Sequence, residues 1–517
     1  MTAPSPRVLF LGLDAFDPGL LRAFAASGDL PALAGLLSRG AAARTENPPG
    51  LYVGAVWPSL VTALSPARHG RYCWRQLVPG TYREADVSPA SVRGDPFWRP
   101  LGAAGKRVAV FDLPKTEPDP RVPGVHLVDW GTHDGGPAGF LSWPPTLAAE
   151  TLAACGPDPL GPCDQVRLTA SDYAALRDAL VARIGARERI AIRFLDREPW
   201  DLLAVGYSEA HCVGHQCWHL HDPSHERHDP ALAAAAGDPV LDVYRAIDAS
   251  IGRLLSRAGP EAAVVVLASH GMGPHHDGGS ALDAMLERLE ERLPRGRPPS
   301  LSARLARLAD RPRTRRWSRR LKRKAGFSLP LPSRNAARTC YAVPNNDAFA
   351  GVRVNLVGRE PSGRIRAGAE YESFVAALSE ELLALVDGET GEPAFARVLR
   401  SRDFYEGPGL DALPDLMPEW RRATPIGSLA SPWAGRIEAP YRGVRTGDHT
   451  AEGLLLAAGP GVVPGESAEP VPVVDVAPTL CALLGVAWAG VDGRPVEAIA
   501  GAARAAAAGA LGRQPVG

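Results

Sequence analysis

The run Ala262-Ala-Val-Val-Val-Leu-Ala268 offers no polar residue for a solvent-facing side. A strand with one wet face alternates apolar with polar. A strand that is apolar throughout must be covered on both faces, as in a parallel sheet sandwiched between helices. Val8-Leu-Phe-Leu-Gly-Leu13 has the same character, and Lys106-Arg-Val-Ala-Val-Phe111-Asp112, Gly124-Val-His-Leu-Val-Asp129, Asp201-Leu-Leu-Ala-Val205 and Glu452-Gly-Leu-Leu-Leu-Ala-Ala458 read as further strands with apolar centres. Between them, apolar residues at helical spacing predict helices over 20–38, 171–192, 241–255 and 374–385. The expected fold is α/β, with a mostly parallel central sheet and helices on both faces.

Lys plus Arg balance Asp plus Glu at 57 each, which leaves no net field to draw in nucleic acid or a membrane surface. No nucleic-acid partner is expected. The seven cysteines are odd in number and contain no C-x-x-C pair, which argues against a disulfide framework or a zinc ribbon and suits a reducing compartment. The first apolar run is too short for a signal peptide or a bilayer span, so a cytoplasmic protein without a transmembrane segment is expected. Residues 286–345 stand apart because they are crowded with Arg and Lys and poor in apolar anchors. Two readings fit them: a docking patch for an acidic partner, polyphosphate or lipid head group, or a solvated helical insertion. The charge is local and the chain is neutral, which favours the insertion. The expected organisation is one α/β domain from 1–285 and 346–500, the basic insertion 286–345, and an Ala-rich flexible tail over 501–517.

The chemistry gathers just past the strands. In open α/β sheets, ligands bind beyond the carboxyl ends of the strands. Asp14 follows the first run there, and its competing role is a helix N-cap. Tyr207-Ser-Glu-Ala-His211-Cys-Val-Gly-His215-Gln-Cys-Trp-His219 packs three imidazoles beyond another run, with His211 and His215 at i, i+4 on one helix face. Ser269-His270 ends the run at 262–268, and His449 precedes the last. Pro58 suits the first turn of a helix whose N-terminus would be an anion site.

These pieces resemble the alkaline phosphatase superfamily, in particular its type I phosphodiesterase/nucleotide pyrophosphatase branch. The resemblance rests on Leu11-Gly-Leu-Asp14, on Trp57-Pro-Ser…Thr62-Ala-Leu-Ser-Pro66-Ala-Arg-His69-Gly70, on His211-Cys-Val-Gly-His215, on Ser269-His270-Gly271 and on Gly447-Asp-His449. Gly358-Arg-Glu-Pro-Ser-Gly363 resembles a further strand-end element of bacterial members. The resemblance implies an alkaline-phosphatase-like fold and a metal-dependent hydrolase of phosphodiesters or related phosphate esters. It implies a small anionic phosphate ester as substrate and zinc as cofactor, with manganese an alternative and one or two ions bound. Its ligands would be Asp14, His211, His215, His270 and His449, with Ser269 a weak one.

Three positions depart from the family pattern. His211 stands in place of an Asp and would make a three-histidine set with His215 and His449. Ser269 stands in place of another Asp, so a second metal would rest on Asp14 and His270, helped by His275 or His276. The position of the nucleophile is Val53, leaving Tyr52, Ser59 and Thr62 as nearby hydroxyls. Either one of these hydroxyls is relocated or a metal-activated water attacks. The alternative is a non-catalytic member of the same fold that binds a metal or ligand.

Overall fold

The computed structural model describes residues 7–501 apart from 122, 134, 136–138, 305–332 and 347. The central sheet has ten strands. Its path runs Gly465–Glu466, Ala41–Glu46, Gly453–Ala458, Ala263–Ala268, Val8–Leu13, Leu202–Tyr207, Val108–Phe111, Gly124–Val128 and Leu141–Trp143, with Val471–Pro472 also beside Ala41–Glu46. The middle strands are parallel, whereas Gly453–Ala458 joins antiparallel to both its neighbours, as does Leu141–Trp143 to its one.

Every residue of the three central strands is buried, as their unbroken apolar runs require. Side chains alternate between two cores. Leu9, Leu11 and Leu13 face the helices Ala170–Arg197, Glu209–His221 and Pro239–Ala258. Val8 and Phe10 face Tyr52–Thr62 and Val476–Leu483. The register matters for the site: Leu13 lies opposite both Tyr207 and Ala268. Three strands therefore end level, and the residues that follow them, Asp14, Ser208 and Ser269, share one edge. Backbone bonds continue across it, Asp14 N–H to Tyr207 C=O at 2.8 Å and Ser269 N–H to Leu13 C=O at 2.9 Å.

Two helices differ from expectation. The span 20–38 is two helices, Pro18–Ala26 and Pro31–Arg39, because Gly28 takes φ +87° and Pro31 restarts the chain. The cap of the first is Asp17, which accepts from Leu20 N–H at 2.8 Å, so Asp14 has no capping role. The other helix starts at Tyr52, not at Pro58, and carries Pro58 in its interior. Packing of Leu51, Tyr52 and Ala55 into a buried cluster with Phe349 and Met417 extends it backwards and overrides the proline signal.

Residues 279–439 gather around a core of their own. Helices Gly279–Leu289 and Ala369–Leu383 lie with an antiparallel sheet ordered Cys340–Val343, Gly351–Val354, Leu416–Trp420 and Phe395–Arg400. The described parts of the basic stretch 286–345, residues 286–304 and 333–345, adjoin this unit, with Leu286, Leu289, Leu293 and Cys340 in its core. The most charged portion of the stretch, 305–332, and the tail 502–517 lie outside the described residues. The chain leaves the sheet through Gly271–Pro274 and returns through Gly447–Thr450, and these two strands pair with each other, Met272 opposite His449. Among the described residues no single helix is long and apolar enough to cross a membrane.

Candidate metal centre

Helix Glu209–His221 begins immediately after Leu202–Tyr207, and its start is fixed by a buried ionic knot. Arg187 donates to Glu209 at 3.1 Å, to Asp112 at 2.9 Å, and to the carbonyls of Gly206 and Gly131 at 2.7 and 2.8 Å. All three charged groups are fully buried, and this is affordable only because they are paired and hydrogen-bonded. The other flank is a close approach of backbones. A Cβ on Gly447 would stand 2.2 Å from the Gly214 carbonyl oxygen, so glycine lets the returning strand lie against the helix.

That contact brings His449 onto His211 and His215. His211 Nε2 lies 2.9 Å from His215 Nε2 and 3.0 Å from His449 Nε2. The far nitrogen of each ring faces an acceptor: His211 Nδ1 meets Asp14 Oδ2 at 2.7 Å, His215 Nδ1 the Gly447 carbonyl at 2.7 Å, and His449 Nδ1 Asp448 Oδ1 at 3.2 Å. With a proton on each Nδ1, as these acceptors favour, the Nε2 lone pair of His211 faces those of His215 and of His449. Protonation does not relieve this crowding. Burial, followed by the neighbouring cationic groups and imidazoles, holds His211 and His215 well below the usual histidine range, and burial lowers His449 despite Asp448. A divalent cation does relieve it. Nitrogens bound at ordinary zinc distances stand about 3.3 Å apart, a small opening from the distances here. The ligand atoms of His133, His211 and His215 all lie within 4.8 Å of one another, with His449 3.0 Å from His211, and imidazoles gathered in this way fit a metal.

The second position is built differently. Asp14 Oδ1 accepts Trp57 Nε1–H at 2.7 Å and Ser269 Oγ–H at 3.3 Å, while His270 Nε2 stands 3.9 Å away. Trp57 reaches Asp14 because Gly12 has no side chain; a Cβ there would meet the indole at 2.7 Å. His270 is buried, its pKa pushed down to about 3 by that burial, and its Nδ1 has no hydrogen-bond partner among the described residues. His275 and His276 are engaged with other carboxylates. They bond Asp277 at 2.8 Å and Glu226 at 2.9 Å. Lys115, at φ +61°, places its ammonium 3.1 Å from the Val53 carbonyl, close enough for its charge to act on His270.

The hydroxyls are not delivered to the histidines as nucleophiles. Ser59 is fully buried and bonds His69 Nε2 at 3.0 Å. Thr62 returns its proton to the Pro58 carbonyl at 2.7 Å, a bond within its own helix. Tyr52 is buried and donates to the His449 carbonyl at 3.0 Å. Val53 itself faces the cavity, about 670 Å³ in volume, which opens above His211 and His449 and carries Arg71, Lys115 and Arg445 on its walls. Sequence reasoning missed Trp57 as a partner of Asp14, and it missed Lys115 and His133 altogether. The His133 ring lies over His211 with centroids 4.1 Å apart. Only the positive φ of Lys115 marks it, and no sequence pattern carries that.

Fold and centre together define an α/β protein with a histidine-rich metal-type site at the carboxyl edge of its sheet. A profile of type I phosphodiesterase / nucleotide pyrophosphatase matches residues 8–403, and the chain belongs to that family. Two solved structures align along most of their length. Phosphonoacetate hydrolase from Sinorhizobium meliloti 1021, in complex with phosphonoformate, is 16% identical at a TM-score of 0.47, covering 94% of this chain and 97% of that one. Human ectonucleotide pyrophosphatase / phosphodiesterase 5 is 14% identical at a TM-score of 0.47 with the same coverage. The search of curated proteins returned no match.

Proposed function

We propose that the protein is a hydrolase of phosphate esters that uses one metal ion, zinc by its donor set, held by His211, His215 and His449. The observation that carries this is the approach of His215 Nε2 and His449 Nε2 to within 3.0 Å of His211 Nε2, with the rings held by Asp14, Gly447 and Asp448. Such second partners fix the tautomer and raise ligand basicity, as metal-ligating histidines require. A zinc ion there supplies Lewis-acid charge at a phosphoryl oxygen and makes water acidic enough to be deprotonated near neutral pH. Membership in the type I phosphodiesterase / nucleotide pyrophosphatase family supports the reaction class.

The protein's own groups share the work. Asp14 is committed to His211, Trp57 and Ser269 and acts as an orienting acceptor. Lys115 supplies a fixed positive charge on the side of His270, where the Ser269 hydroxyl leaves too few anionic donors for a second ion. Arg71 and Arg445, on the cavity wall, favour an anionic substrate. Val53 leaves the nucleophile to water and also favours a second reading, a binding protein that keeps the metal without turnover. Metal analysis of tag-free protein and turnover of bis-(p-nitrophenyl) phosphate separate these readings. One zinc per chain and hydrolysis that disappears in His215→Ala support the hydrolase. Zinc without turnover of the diester, its monoester or the sulfate analogue supports the binding protein, and absence of any stoichiometric metal sinks both.

A further inference from the structure

We infer that Cys163, Cys212 and His133 form a second, thiolate-containing metal site beside the three histidines, selective for a soft d¹⁰ cation of the zinc class. Their ligand atoms all lie within 4.8 Å of one another. Cys212 Sγ stands 3.5 Å from His133 Nδ1, and a sulfur and a nitrogen bound to one tetrahedral zinc stand about 3.5 Å apart. Cys212 is the next residue after His211 on the same helix, so one turn directs an imidazole to the first centre and a sulfur to the second. Neither cysteine is in a disulfide.

The surroundings suit thiolates. Arg183 Nη1 lies 3.9 Å from Cys212 Sγ, and its guanidinium is held by Asp158 at 2.7 Å, so positive charge is fixed beside the sulfur without being available as a ligand. His133 Nε2 lies 3.4 Å from Arg445, which is itself held by Asp164 at 2.6 and 3.0 Å, and His133 Nδ1 is the nitrogen that faces Cys212 Sγ; binding an ion there would move its proton to Nε2 or to solvent. Cys163 and His133 also line a cavity of about 620 Å³ that leads to the cluster, leaving a fourth position for water or a small anion. Two thiolates and an imidazole with an open position form a recognised zinc ligand set, and soft sulfur donors exclude magnesium and calcium. The stack of His133 on His211 joins the two centres mechanically, since an ion on His133 would brace the ring that covers His211.

The test uses full-length protein, stripped of metal and reloaded with Co²⁺ under reducing conditions. Two cobalt ions per chain and a thiolate-to-cobalt charge-transfer band in the near ultraviolet are expected. Cys163→Ser, on a loop, and Cys212→Ser each remove the band and one ion, whereas His449→Ala removes one ion and leaves the band. Retention of the band by His449→Ala supports this site even where the three-histidine reading fails. One cobalt per chain without a thiolate band overturns the proposal. So does a thiol titration of the metal-free native protein that shows Cys163 and Cys212 already joined as a disulfide.

Discussion

Lys115 holds one of the few left-handed backbone positions occupied by a residue other than glycine, and a conformation of this kind is kept only when the surroundings impose it. Here they aim an ammonium at the Val53 carbonyl and the His270 side of the site. If that charge stabilises the transition state, Lys115→Met lowers kcat by about 100- to 1000-fold, the usual cost of losing one fixed electrostatic partner. Zinc content should stay unchanged and Lys115→Arg should recover part of the rate. Steady-state kinetics beside metal analysis checks this. An equal loss of zinc would instead give Lys115 a structural role. Asp14 shows the same logic at another residue. Its place after a buried strand was legible from sequence, but its partners were not. Trp57 is 43 positions away and Ser269 is 255, and only the folded register brings them together.

Among the elements, the strands were the most legible because burial on both faces leaves no freedom in their composition. The ends of Val8–Leu13, Leu202–Tyr207 and Ala263–Ala268 are level, so reading the strands also located Asp14, His211 and His270 at one edge. Helix starts were read less well. Tyr52–Thr62 begins where tertiary packing against Phe349 and Met417 rewards it, and a local proline signal at Pro58 says nothing about a contact made 300 residues later. The partners of two hydroxyl candidates were hidden for the same reason, since helical register turns Ser59 towards His69 and Thr62 back onto Pro58. The glycine contact is the element-scale weak point. Gly447→Ala forces a methyl to 2.2 Å from the Gly214 carbonyl oxygen. The expected cost is about 3 kcal/mol, the upper part of the overpacking range. Chemical denaturation should show it, and metal retention should fall with it because His449 rides on the displaced strand.

For the molecule as a whole, buried neutral histidines make the fold sensitive to acid. Burial brings both His69 and His126 down to about 3 in the folded protein, against 6.5 for an ordinary histidine. Below about pH 6.5 the unfolded chain takes up protons that the folded one refuses, so the stability these groups contribute is complete above that pH. It is lost as pH falls towards 3, at about 1.4 kcal/mol per pH unit for each residue. Unfolding free energies of wild type and His126→Gln, measured by denaturant titration between about pH 6 and pH 5, should differ in pH slope by about that amount. Parallel slopes would mean that water reaches His126 and solvates its charge.

The pairing of Gly271–Pro274 with Gly447–Thr450 has a wider consequence. Pro274 and Gly447 are partners across an antiparallel ladder, so the 172-residue path between them begins and ends at nearly one point. In covalent terms it is a closed excursion, and its neck is the ribbon that presents His449. The wall that Asn345 and Asn346 contribute to the cavity belongs to that excursion, whereas His211 and His215 do not. Exchanging the excursion at this neck would change the Asn345 and Asn346 wall of the cavity and leave Asp14, His211 and His270 in place. The same neck limits that freedom, because any graft that strains it pulls directly on His449.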